Sequence, residues 1–381
     1  MTTESTTSAR RTGNTVTIFL CGDVMVGRGI DQILPHPSEP QLFEPWVRSA
    51  VSYVELAEEA SGRIPRATSF DYVWGDALEV LDRIHPDARI VNLETAITTN
   101  GEAWPTKGIH YRMHPQNLGC LVAAKIDCCA LANNHVLDWG YAGLEETLGQ
   151  LQGAGIRTAG AGANAAEAAR PAVIEVRGGT RVLVSSFGMS SSGVPREWRA
   201  RRAHAGVNWV EDLSSRSVEK IARQISPHRD AQTVVIASLH WGGNWGYDIS
   251  AREREFAHAL IDTAGVDLVH GHSSHHPKGI EVYRKKGILY GCGDFLNDYE
   301  GIGGYGSFRG DLALMYFAAL DARTGELVNL SMIPMQIRCF RVRRAPDDDV
   351  AWLARTLDRE CAKLGTRVTK SVDQTFTLEW N

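Results

Sequence analysis

Five short apolar runs in this chain each stop at residues able to bind a proton or a cation. Val16 to Cys21 ends in Gly22-Asp23, and Arg89 to Leu93 ends in Glu94. Ile126 to Leu131 precedes Asn133, Thr233 to Leu239 precedes His240, and Val266 to Val269 precedes His270. Runs of this length read as buried strands. Helical patterns separate several of them, at Trp74 to Ile84, Gly140 to Leu151 and Arg252 to Ala264. Strands alternating with helices predict an α/β fold around a largely parallel or mixed sheet. In open α/β sheets, ligands gather beyond the carboxyl ends of the strands. Five polar strand ends therefore predict one site.

Composition narrows what that site can serve. The chain has 381 residues, 43% of them hydrophobic, enough for a full core without disulfides. Lys and Arg total 40 against 45 Asp and Glu, a net charge of -5, which argues against nucleic acid as partner. The seven cysteines are an odd number, with Cys128 and Cys129 adjacent in an apolar segment. That predicts reduced, buried thiols and a cytoplasmic setting. No stretch reaches the apolar length of a membrane span. Residues 1–14, rich in Thr and Ser, read as a disordered tail, and residues 15–381 as one domain. Within it, residues 35–70 read as an insertion over the site. Residues 300–381 should supply further strands, at Asp311 to Asp321 and Leu327 to Arg343, and a helix from Asp347 to Leu364.

The densest chemical signal is His270-Gly271-His272-Ser273-Ser274-His275-His276. Imidazole is the commonest metal ligand near neutral pH, and a Gly- and Ser-rich loop lets several rings converge. Asn133-Asn134-His135 comes next, with Asp138 spaced to orient the His135 ring. A carboxamide oxygen can complete a hard-metal shell, and a histidine beside it can protonate a leaving group. Asp23 and Glu94 offer carboxylates to one or two divalent cations. His240-Trp241-Gly242 adds a further imidazole, and Trp241 and Trp245 are candidate pocket walls. Lys107 and Arg112, following Glu94, are candidates for holding an anionic group of a substrate. Gly160-Ala161-Gly162 lacks the acidic residue that a dinucleotide loop requires at its usual spacing.

Taken in order, these blocks resemble the CapA family of poly-γ-glutamate capsule proteins, within the calcineurin-like metallophosphatase superfamily. The resemblance spans roughly Val16 to Asp298 and also includes Gly160-Ala161-Gly162 and Gly293-Asp294-Phe295-Leu296. It implies a four-layer α/β/β/α sandwich with one or two divalent metals (Mn, Fe or Zn) at the strand ends. Asp23 would bind the first metal and Glu94 would bridge. Asn134, His240 and His272 would hold the second metal, and His275 would return to the first. His135, oriented by Asp138, would be the acid. The implied activity is hydrolysis of a phosphoester or amide in an anionic small-molecule or peptide substrate. The alternatives are γ-glutamyl-type amide formation or transfer, and an inactive binding module. The chain departs from the superfamily's Asp-x-His at Met25, which deprives the first metal of a nitrogen. Where CapA proteins often have Gly-His-His-Pro-His, this chain has Gly271-His272-Ser273-Ser274-His275, which makes His270 or His276 a candidate substitute ligand.

Overall fold

The computed structural model describes residues 15–105, 107–304 and 306–381, so the expected tail over 1–14 lies outside the described residues. The elements that build the site are, in chain order, β1 (Thr15–Val24), α1 (Val51–Ser61), α2 (Asp76–Ile84), β2 (Ala88–Leu93), β3 (Cys128–Ala130), α3 (Gly140–Gly153), β4 (Arg181–Met189), α4 (Ser215–Ile225), β5 (Thr233–His240), α5 (Ala251–Ala264), β6 (Leu268–His272), β7 (Asp294–Leu296), β8 (Leu312–Asp321), β9 (Leu327–Arg338) and α6 (Asp347–Ala362). The fold is mixed α/β with two large sheets. In the ten-stranded sheet, β9, β8, β1, β2 and β3 are neighbours in that order. β1, β2 and β3 run parallel, whereas β8 runs antiparallel to β1. In the seven-stranded sheet, β4, β5 and β6 are parallel neighbours.

Residue alternation shows how the sheets are covered. Ile18 and Leu20 of β1 share a buried cluster with Val182 and Val184 of β4 and Val234 and Ile236 of β5. The intervening Phe19 and Cys21 turn to a second cluster that contains Val80 and Leu81 of α2 and Leu144 of α3. Likewise Val235 and Ala237 of β5 turn to a third cluster with Val218 and Ile221 of α4 and Phe256 and Leu260 of α5. Side chains alternate across a strand, so each sheet contributes one face to a shared interior and the other to helices. Burial on both faces explains why these strands read as continuous apolar runs.

The helices expected from sequence form with small shifts at their ends. α2 begins at Asp76, after Gly75 (φ 47°), because Trp74 is buried with its Nε1 donating to Cys120 O at 2.8 Å. α5 carries a capping box between Ser250 and Glu253 and stops at Gly265 in the left-handed region. The strand expected over Leu327 to Arg343 divides into β9 and a short strand, Arg341–Arg344. Cys339 and Phe340, both at positive φ, make the turn between them. All seven cysteines are free, and six are buried. Among the described residues no helix is long and apolar enough to cross a membrane.

Candidate metal and acid–base site

Parallel register brings the polar strand ends together. In the first sheet Asp23 pairs across from Asn92 on one side and Asp294 on the other. The approach is allowed by glycine: a Cβ on Gly22 would lie 1.8 Å from the Gly293 carbonyl oxygen. Asn92 donates from Nδ2 to Asp23 Oδ1 (2.7 Å) and Glu94 Oε2 (3.2 Å). Ser273 N donates to the second oxygen of Asp23 at 3.0 Å. Asp23, Glu94 and Asp294 are all buried. Burial raises the pKa of Asp23, and the Asp294 charge raises it further. Glu94 is raised well above the carboxylate range by burial and then by Asp23. Carboxylates crowded in this way ionise together only if a positive charge accompanies them.

The second sheet supplies imidazoles. β5 and β6 align His240 directly with His272. Their Nδ1 atoms face each other at 2.8 Å, His240 Nε2 lies 2.8 Å from Asn134 Oδ1, and Ser238 Oγ lies 2.7 Å from His272 Nε2. Burial depresses both rings well below the ordinary histidine range, the neighbouring imidazoles adding to it, so both are neutral with lone pairs available. The two sheets meet here. His272 Nδ1 is 3.8 Å from Asp23 Oδ1, and His240 Nε2 is 3.8 Å from Glu94 Oε1. One ligand atom each from Asp23, His240 and His272 lies within 4.8 Å of the others, a spacing that can hold a metal ion. Neutral imidazoles, carboxylates and a carboxamide oxygen form a donor set suited to a divalent transition metal.

A dyad stands beside this cluster. Asn133 fixes its loop by donating to Leu93 O (2.8 Å) and accepting from His135 N and Val136 N. His135 Nδ1 lies 2.6 Å from Asp138 Oδ2, while its Nε2 points to the Glu94 side, 3.8 Å from Oε1. Burial pushes His135 down to about 4 against the opposing pull of Asp138. Asp138 also accepts from Tyr111 N (2.7 Å) and Lys107 Nζ (2.5 Å). The Tyr111 ring meets His135 edge-on at 4.5 Å.

The remaining residues expected at the site take different surroundings. His275 lies with Nδ1 2.9 Å from Asp294 Oδ1 and Nε2 3.1 Å from Asn244 Nδ2. Burial pulls this ring down, but Asp294 outweighs it and the pKa is raised. Lys107 is committed to Asp138 and to the Asn134 carbonyl. Arg112 packs its guanidinium 3.0 Å above the Trp139 ring, where Asp31, Glu146 and Glu39 are the charges that act on it most. Neither His270 nor His276 belongs to the Asp23–His240–His272 group. His270 bonds Cys21 O at 2.7 Å, and His276 packs against Trp245, Tyr247 and Phe308. Trp241 stacks on Tyr290 in the core. Trp245 does line a cavity of about 600 Å3, with Arg28, Tyr53, His275, Asn297 and Tyr299.

Several residues at the site carried weaker signals. Asp294 follows a strand-adjacent glycine as Asp23 does, and that repeated Gly-Asp was the available clue. Tyr299 is half-buried at the site: its hydroxyl contacts Tyr111 Oη (3.1 Å) and Met25 Sδ (3.6 Å), and its ring meets His275 at 5.3 Å. Arg28 is buried between Asp298 and Glu44 and lies 3.6 Å above the Tyr53 ring. Arg28 and Tyr299 come from loops, where no periodicity marks them.

Comparisons with known proteins place the chain in a family. Residues 17–299 match the family described as bacterial capsule synthesis protein PGA_cap. A probable polyglutamine synthesis accessory protein of Mycobacterium tuberculosis is 48% identical over 359 residues, covering 94% of each chain. The PGA biosynthesis protein CapA of Bacillus subtilis is 25% identical over 279 residues, 73% of this chain and 62% of that one. The capsule biosynthesis protein CapA of Bacillus anthracis is 23% identical over 288 residues, 76% and 61% of the two chains. With the family match running from β1 through the Asp294 strand and every cluster residue inside it, this chain belongs to the PGA_cap family of bacterial capsule synthesis proteins.

Proposed function

We propose that this chain is a metal-dependent hydrolase that cleaves a phosphoester or amide bond of an anionic small-molecule or peptide substrate. The observation that carries the reading is the convergence of Asp23, Glu94, Asn134, His240 and His272 beside the His135–Asp138 dyad. The shared interior between two sheets and the helical clusters outside them support a four-layer, metallophosphatase-like arrangement. In this reading Asp23, Glu94, Asn134, His240 and His272 hold one or two divalent ions (Mn, Fe or Zn), with His275 as the outermost candidate ligand. Such an ion, when bound, supplies Lewis acidity and lowers the pKa of water into the working range.

The chain's own residues do the rest. Asp138 accepts the Nδ1 proton of His135 and so presents Nε2 to the reacting group, on the side of Glu94. A proton carried on Nε2 is stabilised by the Asp138 carboxylate and can pass to the leaving group. Lys107 and the Tyr111 amide hold Asp138 in place from its two oxygens. Burial of the dyad excludes water from that transfer.

The relatives' names favour one second reading: an accessory role in polymer synthesis, with γ-glutamyl-type amide formation or transfer at the same cluster. Incubating metal-loaded protein with poly-γ-glutamate and with an aryl phosphate separates the two. Release of glutamyl fragments or aryl alcohol supports hydrolysis. Glutamyl fragments capped by an added amine, each amide broken being replaced by one formed and no new free carboxylate appearing, support the second. Full metal loading without turnover of either substrate would overturn both and leave a binding module.

A further inference from the structure

The segment after β4 links the cluster to a strongly basic surface. Ser192 Oγ donates to the His240 carbonyl at 2.6 Å, so the segment starts beneath a cluster histidine. Six residues on, Trp198 is fully buried, with Trp104 meeting its ring edge-on at 5.4 Å. Lys107 Nζ, the group that holds Asp138, lies 5.1 Å from the Trp198 centroid. From that anchor the chain carries Arg196, Arg199, Arg201 and Arg202, all exposed.

The backbone beneath these arginines is fixed. Ala200 N donates to Val207 O (3.0 Å), Arg201 N to His204 O (3.0 Å) and Ala165 N to Arg201 O (2.9 Å). Gly206 is required, since a Cβ there would lie 2.2 Å from the Trp198 carbonyl. The four arginines line an open cavity of about 700 Å3 in which Glu197 is the one acid and alanine the only apolar side chain. Glu211 stands 3.5 Å from Arg196. Among the described residues no carboxylate lies within ion-pair distance of Arg199, Arg201 or Arg202. In a chain of net charge -5 this is a concentrated positive field.

We propose that Arg196, Arg199, Arg201 and Arg202 form a docking platform for an extended polycarboxylate chain, on the segment that Trp198 and Lys107 connect to the His135–Asp138 dyad. The role in turnover rests on the hydrolase reading above, but docking is measured without it. Guanidinium forks match carboxylates. One exposed pair contributes little, whereas several on a fixed backbone act together. The lining offers no aromatic for stacking on nucleic-acid bases and no apolar side chain larger than alanine for insertion into a bilayer. A polymer bearing carboxylates alone fits it best.

The test is fluorescence anisotropy of labelled poly-γ-glutamate with the full metal-loaded chain at low salt. Combined Arg199→Ala, Arg201→Ala and Arg202→Ala should weaken binding about tenfold or more, and the binding should fall as salt rises. Metal content and melting temperature should stay as in the unmodified chain, which separates lost docking from misfolding. An unchanged affinity in the variant overturns the proposal. So does equal or tighter arginine-dependent binding of single-stranded DNA of the same length, or of anionic phospholipid vesicles. If the unmodified, metal-loaded chain cleaves neither poly-γ-glutamate nor an aryl phosphate, the hydrolase reading fails, while the anisotropy result still decides the platform.

Discussion

Replacing Asp138 by Asn asks whether His135 works as half of a dyad. The carboxylate is fully buried, 2.6 Å from His135 Nδ1, and it also accepts from Lys107 and Tyr111. Asn is nearly the same size and its carbonyl oxygen can keep the Tyr111 bond. What it loses is the charge that fixes the Nδ1–H tautomer and opposes the burial of the ring. With burial alone acting, His135 falls below its value of about 4, and the proton-carrying ring becomes scarcer. General acid–base groups contribute about 10²–10⁴ in rate, and loss of the orienting carboxylate in a comparable triad costs about 10⁴. Asp138→Asn should therefore lower kcat/KM by about 10²–10⁴, and His135→Ala by a similar factor. Because Asp138 acts through His135, the double variant should be within about threefold of His135→Ala alone. Lys107 loses an ion pair that is 14% exposed on its own side but keeps the Asn134 carbonyl. That should cost about 1–3 kcal/mol, less than a fully buried pair, and lower the melting temperature by a few degrees. The assay is steady-state turnover of the substrate identified by the cleavage experiment, with elemental analysis on every variant. Multiplying losses in the double variant would refute the dyad. Loss of metal in His135→Ala would make that residue a ligand.

Four further outcomes follow from the geometry. Protein purified without chelator should hold at least one divalent metal, and His272→Ala should lose most of it, as elemental analysis would show. Met25→His should strengthen a second, weaker binding event in a titration of the apo-protein, since a nitrogen would replace the buried sulfur beside Tyr299; two equally tight sites in the unmodified chain would contradict this. Gly22→Ala should destabilise the fold by about 3 kcal/mol or more and reduce metal retention, because its Cβ has no room beside Gly293; a melting temperature within two degrees or so of the parent would count against it. Glu281 is held below the carboxylate range because Arg254 and Tyr290 outweigh its burial, so its stabilisation is present above its unfolded value and fades as pH falls through the folded one. The gap in melting temperature between the parent and Glu281→Gln should accordingly narrow from neutral pH towards pH 3.

The reach of sequence reasoning at this site follows from what periodicity can encode. Val16 to Cys21 and Thr233 to Leu239 are apolar on both faces because both faces are covered, and their ends deliver Asp23 and His240. The partner of each strand is invisible in such a run. Nothing in the sequence says that His240 aligns with His272 while Asp23 aligns with Asp294. In the helix Ser215–Ile225, Ser217, Val218, Ile221 and Ile225 form the buried stripe, but polar residues dominate the segment between them and mask it. In the C-terminal hairpin, Phe376, Leu378 and Trp380 alternate with polar residues, but the run is only five residues long and its partner, the edge strand Thr366–Lys370, has Val368 as its one apolar residue. Lys107 and Arg112 were legible as cations but not as partners of Asp138 and Trp139, since both contacts depend on a loop path.

Asp23 and Glu94 belong to one sheet, and His240 and His272 to the other. An ion held by both pairs would therefore rivet the two halves of the molecule at their common rim. A ligand that binds only the folded chain adds about 2.7 kcal/mol when present at a hundred times its dissociation constant. Copies that never receive the ion would forgo that increment at the seam while each sheet keeps its own helices. Such copies should be cut first by protease near the cluster loops, and chelator should speed that cutting. The standing amount of the chain would then track the supply of metal, with proteolysis acting as the gauge.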